Sequence, residues 1–312
     1  MDENKPLTPE IKALMNRSQT EIDQENWHDA SQTLSELYES LPTFEVNYKL
    51  VTTLFMDEQY QLAGSYADDF LGEYLEYEDN FRMLVALSVK TQNFVYAHQL
   101  IMLWDDGDDG KLQQTLLNEV KEAENKAKDK MAATFQTISR QFYHMSDYDI
   151  AEQRSRYESA RHLPVADFIK GARFLLLDPY TLPVIRATLL DDLQKLNINE
   201  VIQYRWLDND IYTVNLSEIN ALTDNTVFLD IANELEQQVG QNDPNAMTAL
   251  THELRLELTL LYPRIAEVIT DAKQWVAVSL SHYYQRSMPD EPKQQSEWHH
   301  KVLQMTMNIF KN

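Results

Sequence analysis

Trp27-His28-Asp29-Ala30, Tyr60-Gln61-Leu62-Ala63 and Phe94-Val95-Tyr96-Ala97 share one pattern, an aromatic residue followed three places later by alanine. The alanines recur at intervals of 33 and then 34 residues. That period is the length of a helix–turn–helix unit, so the N-terminal third reads as a stacked array of helical hairpins. Alanine has a physical reason at such a place, because two helices pack closely only where one presents a small side chain. The aromatic residue three places earlier then packs over the turn.

The segments around these alanines read as helices. Thr8 is a candidate N-cap for a helix over 9–24, with Pro9 at its first position. A second helix runs from Trp27 to about Leu41 and stops at Pro42, with Ala30, Leu34 and Leu37 on one stripe. The second unit covers 44–59 and 60–77, with Ala63, Ala67 and Phe70 repeating the stripe. The third covers 80–91 and 94–104, with Ala97, Ile101 and Trp104.

Over roughly residues 8–106 this resembles the tetratricopeptide repeat. Leu50 and Leu84 stand at the repeat's usual leucine, whereas Val51 and Val85 replace its small neighbour, and Leu54 and Ser88 its tyrosine. Only the first unit keeps a terminal proline, Pro42. The resemblance implies a concave groove lined by the first helices, able to take an extended peptide or a partner helix. Tyr48, Thr52 and Arg82 are the residues it places on that groove. They do not supply the Lys and Asn of a carboxylate clamp, so capture of a peptide C-terminus is not expected.

Residues 112–145 read as one long or two abutting helices. The stretch from Lys121 to Lys130 carries almost no large apolar side chain, and a domain boundary is expected near residue 125. Residues 131–145 then pair with 148–162, where Tyr148 and Ala151 repeat the aromatic–alanine spacing and suggest a fourth, displaced repeat. Two more helices, 165–177 and 182–196, flank a break at Asp178-Pro179.

Next the period changes to two. Val201–Leu207 and Ile211–Leu216, joined by Asp208-Asn209-Asp210, read as a β-hairpin with Ile202, Tyr204 and Trp206 on one face. A lone hairpin is marginal in water, so that face must lie on helices. Helices resume over 226–239, 244–261, 264–286 and 294–310. The fold expected is therefore mainly all-α: a repeat array in 1–125, and a helical domain with one hairpin near 201–216 in 126–312. The order of helical repeats, Leu177-Asp178-Pro179, hairpin, and an Asp243-Pro244 helix ending in Leu261-Tyr262-Pro263 is similar to a family of Gram-positive bacterial tetratricopeptide-repeat proteins of unknown function. That resemblance brings no activity with it.

Composition narrows the function. The 312 residues carry a formal net charge of −23, from 50 Asp and Glu against 27 Lys and Arg. Such a polyanion repels phosphate backbones and anionic lipid, so nucleic acid and membrane are not expected partners, whereas a basic protein or peptide is. From Asp57 to Asp109 there are twelve acidic residues against Arg82 and Lys90 alone. Cysteine is absent, which removes disulfides, thiolate metal sites and cysteine nucleophiles and fits a reducing cytoplasm. The N-terminal residues are acidic and lack the apolar core of a signal peptide, and no apolar run approaches a membrane span. With 6 glycines, no phosphate-cradling loop can be assembled.

The remaining motifs fail as chemistry. His252-Glu253 begins like a zinc-protease motif, but Leu256 stands where the second histidine belongs. His299 and His300 are adjacent and point about 100° apart on a helix, and His282 is isolated. These histidines read as surface or half-buried, and no metal or cofactor is expected. The run from Asp105 to Gly110 suggests a calcium loop, but taking Gly110 as the sixth position puts Leu116 at the twelfth, where a bidentate Glu is required. Asp68-Asp69 and Asp191-Asp192 read as solvated faces. The function expected is a non-catalytic interaction module binding a protein or peptide. The alternative is a hydrolase or transferase using carboxylates and His252 between the two domains.

Overall fold

The computed structural model describes residues 8–105 and 110–311, apart from the side chains of 241, 308, 310 and 311. Among the described residues it is mainly helical, with one two-stranded sheet, and the chain divides into two compact units, Met1–Lys130 and Met131–Asn312. The division falls within a helix whose backbone is non-helical at Met131, with φ −126° and ψ 27°. Among the described residues no helix is long and apolar enough to cross a membrane. The candidate calcium loop lies largely outside the described residues.

The first unit is helical and repeat-like. Its helices are α1 (Pro9–Asp23), α2 (Trp27–Ser40), α3 (Phe44–Met56), α4 (Tyr60–Ala67), α5 (Leu71–Tyr74), α6 (Glu78–Lys90), α7 (Phe94–Leu103) and the first part of α8 (Lys111–Tyr143). Contacts run along the chain, α1 on α2, α2 on α3, α3 on α4, α4 on α6 and α6 on α7. Ala30, Ala63 and Ala97 are completely buried, with Leu34, Ala67 and Ile101 beside them. The helix expected over 60–77 is broken: after Ala67 the backbone tightens into a 3₁₀ turn at Asp68–Phe70 before α5.

The turns inside the three hairpins are the same turn. Glu25, Glu58 and Gln92 adopt left-handed φ of 55°, 58° and 59°, spaced like the alanines. Around each, two backbone bonds close the helix end. The Asn26, Gln59 and Asn93 amides donate to the carbonyls of Glu21, Leu54 and Ser88. The Glu25, Glu58 and Gln92 amides donate to those of Ile22, Phe55 and Val89. This is the Schellman closure, built here without glycine.

The second unit contains the rest of α8, then α9 (Ile150–Ala160), α10 (Val165–Leu177), α11 (Pro183–Lys195), β1 (Val201–Arg205), β2 (Ile211–Asn215), α12 (Thr226–Gln238), α13 (Pro244–Leu261), α14 (Ile265–Val268), α15 (Ala272–Tyr283) and α16 (Lys293–Lys311). The expected break at Asp178-Pro179 is present, and buried Arg186 braces it by donating to the carbonyls of Asp178 and Thr181. Burial, then the charge of Arg205, lowers the Arg186 pKa to about 10.

The strands pair antiparallel with Tyr204 opposite Tyr212, and Asn209 takes the left-handed position in the turn. Ile202, Tyr204 and Trp206 are buried on one face, and β1 packs on α10. The Trp206 indole donates to the Leu261 carbonyl, and the Arg264 guanidinium lies over the Trp206 and Tyr212 rings.

Two expectations are corrected here. Ala151 is exposed, unlike the three repeat alanines, so Tyr148–Ala151 does not reproduce their packing. The helix expected over 264–286 is two helices. Between them the Thr270 and Asp271 amides donate to the Gln295 side-chain oxygen, whose amide donates back to the Asp271 carbonyl. Asp271 then caps α15 by accepting from the Gln274 amide. A side chain from α16 thus replaces the helical bonds lost at the break.

Gly171 in α10 faces wholly buried Phe142, whose ring stacks on Phe168 at 5.5 Å between centroids. A Cβ there would lie 2.4 Å from Phe142 Cδ1. Gly171→Ala is expected to destabilise the chain by roughly 1–2 kcal/mol in urea denaturation, because overpacking against a rigid ring outweighs alanine's helix preference.

Candidate functional site

Tyr48, on α3, belongs to an aromatic cluster. Its ring is half-buried against Phe44 and Tyr74, each 6.1 Å away between centroids. Tyr38, Tyr66 and Phe70 extend the cluster. Its polar pivot is Asn47, completely buried. Asn47 accepts from the Tyr74 hydroxyl at 3.0 Å and donates to the Tyr66 carbonyl at 2.7 Å. Burial, with smaller contributions from Tyr48 and Tyr38, raises the Tyr74 pKa. Thr52 Oγ1 is buried and has no hydrogen-bond partner. Arg82 is half-exposed and ion-paired at 2.9 Å with Glu78 on its own helix. Among the described residues no bond or ring contact links Tyr48, Thr52 and Arg82.

A cleft of the first unit lies elsewhere, between α4, α6 and α7, with a volume of about 270 Å³. No Lys, Arg or His lines it. Gly64 leaves open space in the wall, with nothing within 4 Å of where a Cβ would stand. Ser65, Ser88 and Thr91 donate their hydroxyl hydrogens to the carbonyls of Leu62, Leu84 and Leu87, so what remains to them is acceptor capacity. Asn93 Oδ1 is buried without a partner. Asp68 stands at the rim, where partial burial and then the Asp69 charge raise its carboxyl pKa. The cleft is rich in acceptors and has no cation of its own.

In the second unit His252 does come together with carboxylates. A cavity of about 400 Å³ between α9, α11 and α13 is lined by Tyr157, Arg161, Asp191, Asp192, Lys195, His252 and Arg255, among others. Asp191 and Asp192 are buried, which corrects their reading as a solvated face. Being adjacent on a helix, they diverge. Asp191 accepts from the Leu222 amide at 2.7 Å and pairs with Lys195 at 2.6 Å. Asp192 accepts from the Tyr157 hydroxyl at 2.7 Å and from Arg161 at 2.8 Å. Burial and the Asp192 charge raise the Tyr157 pKa. Burial acts to lower that of Arg161, but Asp192 and Tyr157 outweigh it and hold it above the ordinary arginine value.

Every carboxylate oxygen in this cavity therefore already accepts a hydrogen bond, and neither acid touches His252. Tyr157, Arg161, Lys195 and Arg255 were not singled out in the sequence. Their one visible signal was helical ion-pair spacing, as in Asp191 and Lys195.

His299 is buried rather than at the surface. Its ring stacks on Trp275 at 3.8 Å, and Nδ1 meets Glu291 at 3.0 Å. The Trp275 indole donates to Glu257 at 2.8 Å, while the other Glu257 oxygen has no partner. Among the described residues no group of three His, Asp or Glu could hold a metal ion. No protein-family model matches the chain, and neither a curated protein nor a solved structure matches it.

Burial pushes the Glu257 carboxyl up to about 8, against an ordinary 4.5. The folded state thus holds this proton more tightly than the unfolded chain. Its stabilising contribution is complete below about pH 4.5 and is lost as pH rises to about 8. Glu257→Gln is expected to remove that loss, so the urea stability of the variant relative to the parent should rise between pH 5 and pH 8.

Proposed function

We propose that this chain is a non-catalytic, tetratricopeptide-repeat-like interaction module that docks a basic segment of a protein or peptide on its first unit. The observation that carries the reading is the cleft between α4, α6 and α7. It offers the Asp68 carboxylate and side-chain hydroxyls whose hydrogens are already donated, and no cation lines it. A lysine or arginine side chain supplies the donors such a site lacks. Acidic residues crowd the neighbouring sequence, which favours approach of a positive partner and disfavours an acidic one. Tyr48, Thr52 and Arg82 are not among the residues lining the cleft. Tyr48 and Arg82 have partners within the unit, and the docking role passes to Asp68. The enzymatic alternative is disfavoured because the carboxylates beside His252 are saturated by Tyr157, Arg161, Lys195 and the Leu222 amide.

Titration of the full chain with a fluorescent Lys/Arg-rich peptide tests this. Binding is expected at low salt and should weaken as salt rises. A Glu-rich peptide of equal length should not bind. Asp68→Asn should weaken the basic peptide by about tenfold, a loss of ~1.4 kcal/mol. Glu10→Gln, equal in charge but remote in sequence, should leave affinity unchanged. Equal losses in both variants would reduce the binding to bulk charge and overturn the proposal.

A further inference from the structure

The cavity between α9, α11 and α13 has an asymmetric chemistry. Its two acids are satisfied from within the unit, Asp191 by Lys195 and the Leu222 amide, Asp192 by Arg161 and Tyr157. Its donors are in surplus. Arg255 and His252 lie three residues apart on α13, hence on one face of the helix, and both are exposed. Among the described residues neither side chain makes a hydrogen bond, ion pair or ring contact. Lys195 uses one of its donors on Asp191 and sits at the same cavity with its side chain about one-third exposed. With the histidine neutral, the lining residues carry three positive charges against two negative, in a chain whose net charge is −23. Between these charges the wall is apolar, formed by Val184, Leu222 and Leu256. The Thr188 hydroxyl donates to a carbonyl of its own helix, and the Thr259 hydroxyl does the same.

We propose that this cavity binds a small organic oxyanion, its charged group held by Arg255, His252 and Lys195 and its apolar body laid on Leu222 and Leu256. A cation would find both acids occupied. An anion finds a guanidinium fork and an imidazole with no competing partner, beside an ammonium with donors to spare. The volume of about 400 Å³ suits a small molecule with an apolar body and one charged group. The chain's distant negative charges do not prevent this, because at physiological salt they are screened beyond about 8 Å. A phosphate ester and a carboxylate share the required chemistry. This site is independent of the docking cleft, and either can fail without the other.

The test is calorimetric titration of the full chain, at about 0.15 M salt, with phenyl phosphate, benzoate and inorganic phosphate, and with phenol as the uncharged control. At least one aromatic oxyanion is expected to bind saturably, and phenol is not. The tighter of phenyl phosphate and benzoate identifies the head group. Arg255→Gln should weaken that ligand about tenfold or more and His252→Gln several-fold, as expected for lost charge-assisted bonds. Arg140→Gln, an exposed change on α8, should have no effect. Both α13 positions are exposed and unpartnered, so the variants should keep the parent melting curve. If Arg255→Gln nevertheless unfolds, His252→Gln carries the test. Absence of saturable binding, or unchanged affinity in both α13 variants, overturns the site. Inorganic phosphate binding as tightly as phenyl phosphate overturns the role of the apolar wall.

Discussion

How near two helices can approach is set by the side chains between them. In the first unit that limit is met by alanine. Ala30, Ala63 and Ala97 are wholly buried, and the helices that carry them, α2, α4 and α7, pack on α1, α3 and α6 before them. Close approach leaves little room for a polar side chain without a partner, and the central amide of this interior has two. Asn47 answers both the Tyr74 hydroxyl and the Tyr66 carbonyl, so an amide with no exposure can sit among six aromatic rings. The alanine crossings thus set the spacing, and the aromatic cluster fills what the spacing leaves.

The two candidate sites are opposite in charge logic. The cleft between α4, α6 and α7 has acceptors and no cation. The cavity between α9, α11 and α13 has acids already answered and cations left over. Charge counting over the whole chain foretells the first and hides the second. A net −23 is an average, and a cavity is governed by the few groups within a Debye length of it.

The same distinction explains how much could be read from the residues alone. Elements marked by local chemistry were legible: the alanine spacing, the Thr8-Pro9 start, the Asp178-Pro179 break, the period-two hairpin with Trp206 inward, and Asp243-Pro244 opening α13. What depended on a distant partner was not. Nothing near Thr270 announces that Gln295 will hold the chain open there. Nothing near Ala151 shows that it faces solvent while its look-alikes are buried. Asp191 and Asp192 looked like surface because the Leu222 amide that meets Asp191, and the Tyr157 and Arg161 that meet Asp192, lie more than thirty residues away in sequence. Tyr48 and Arg82 occupy the helices expected of them. A neighbouring ring and a glutamate one turn away engage them, and no local pattern specifies that.

The closures at Glu25, Glu58 and Gln92 have a wider consequence. Each is fixed by amide-to-carbonyl bonds of the main chain, and the residue at its centre is a glutamate or glutamine where glycine would be easier. Side-chain identity at these corners can therefore drift among residues that tolerate a left-handed φ, which excludes proline and disfavours β-branched side chains, so long as the small residue five places on is kept. An architecture written in main-chain bonds can keep its rhythm while its letters change, and a chain built this way can lose textual kinship with its relatives without losing its form.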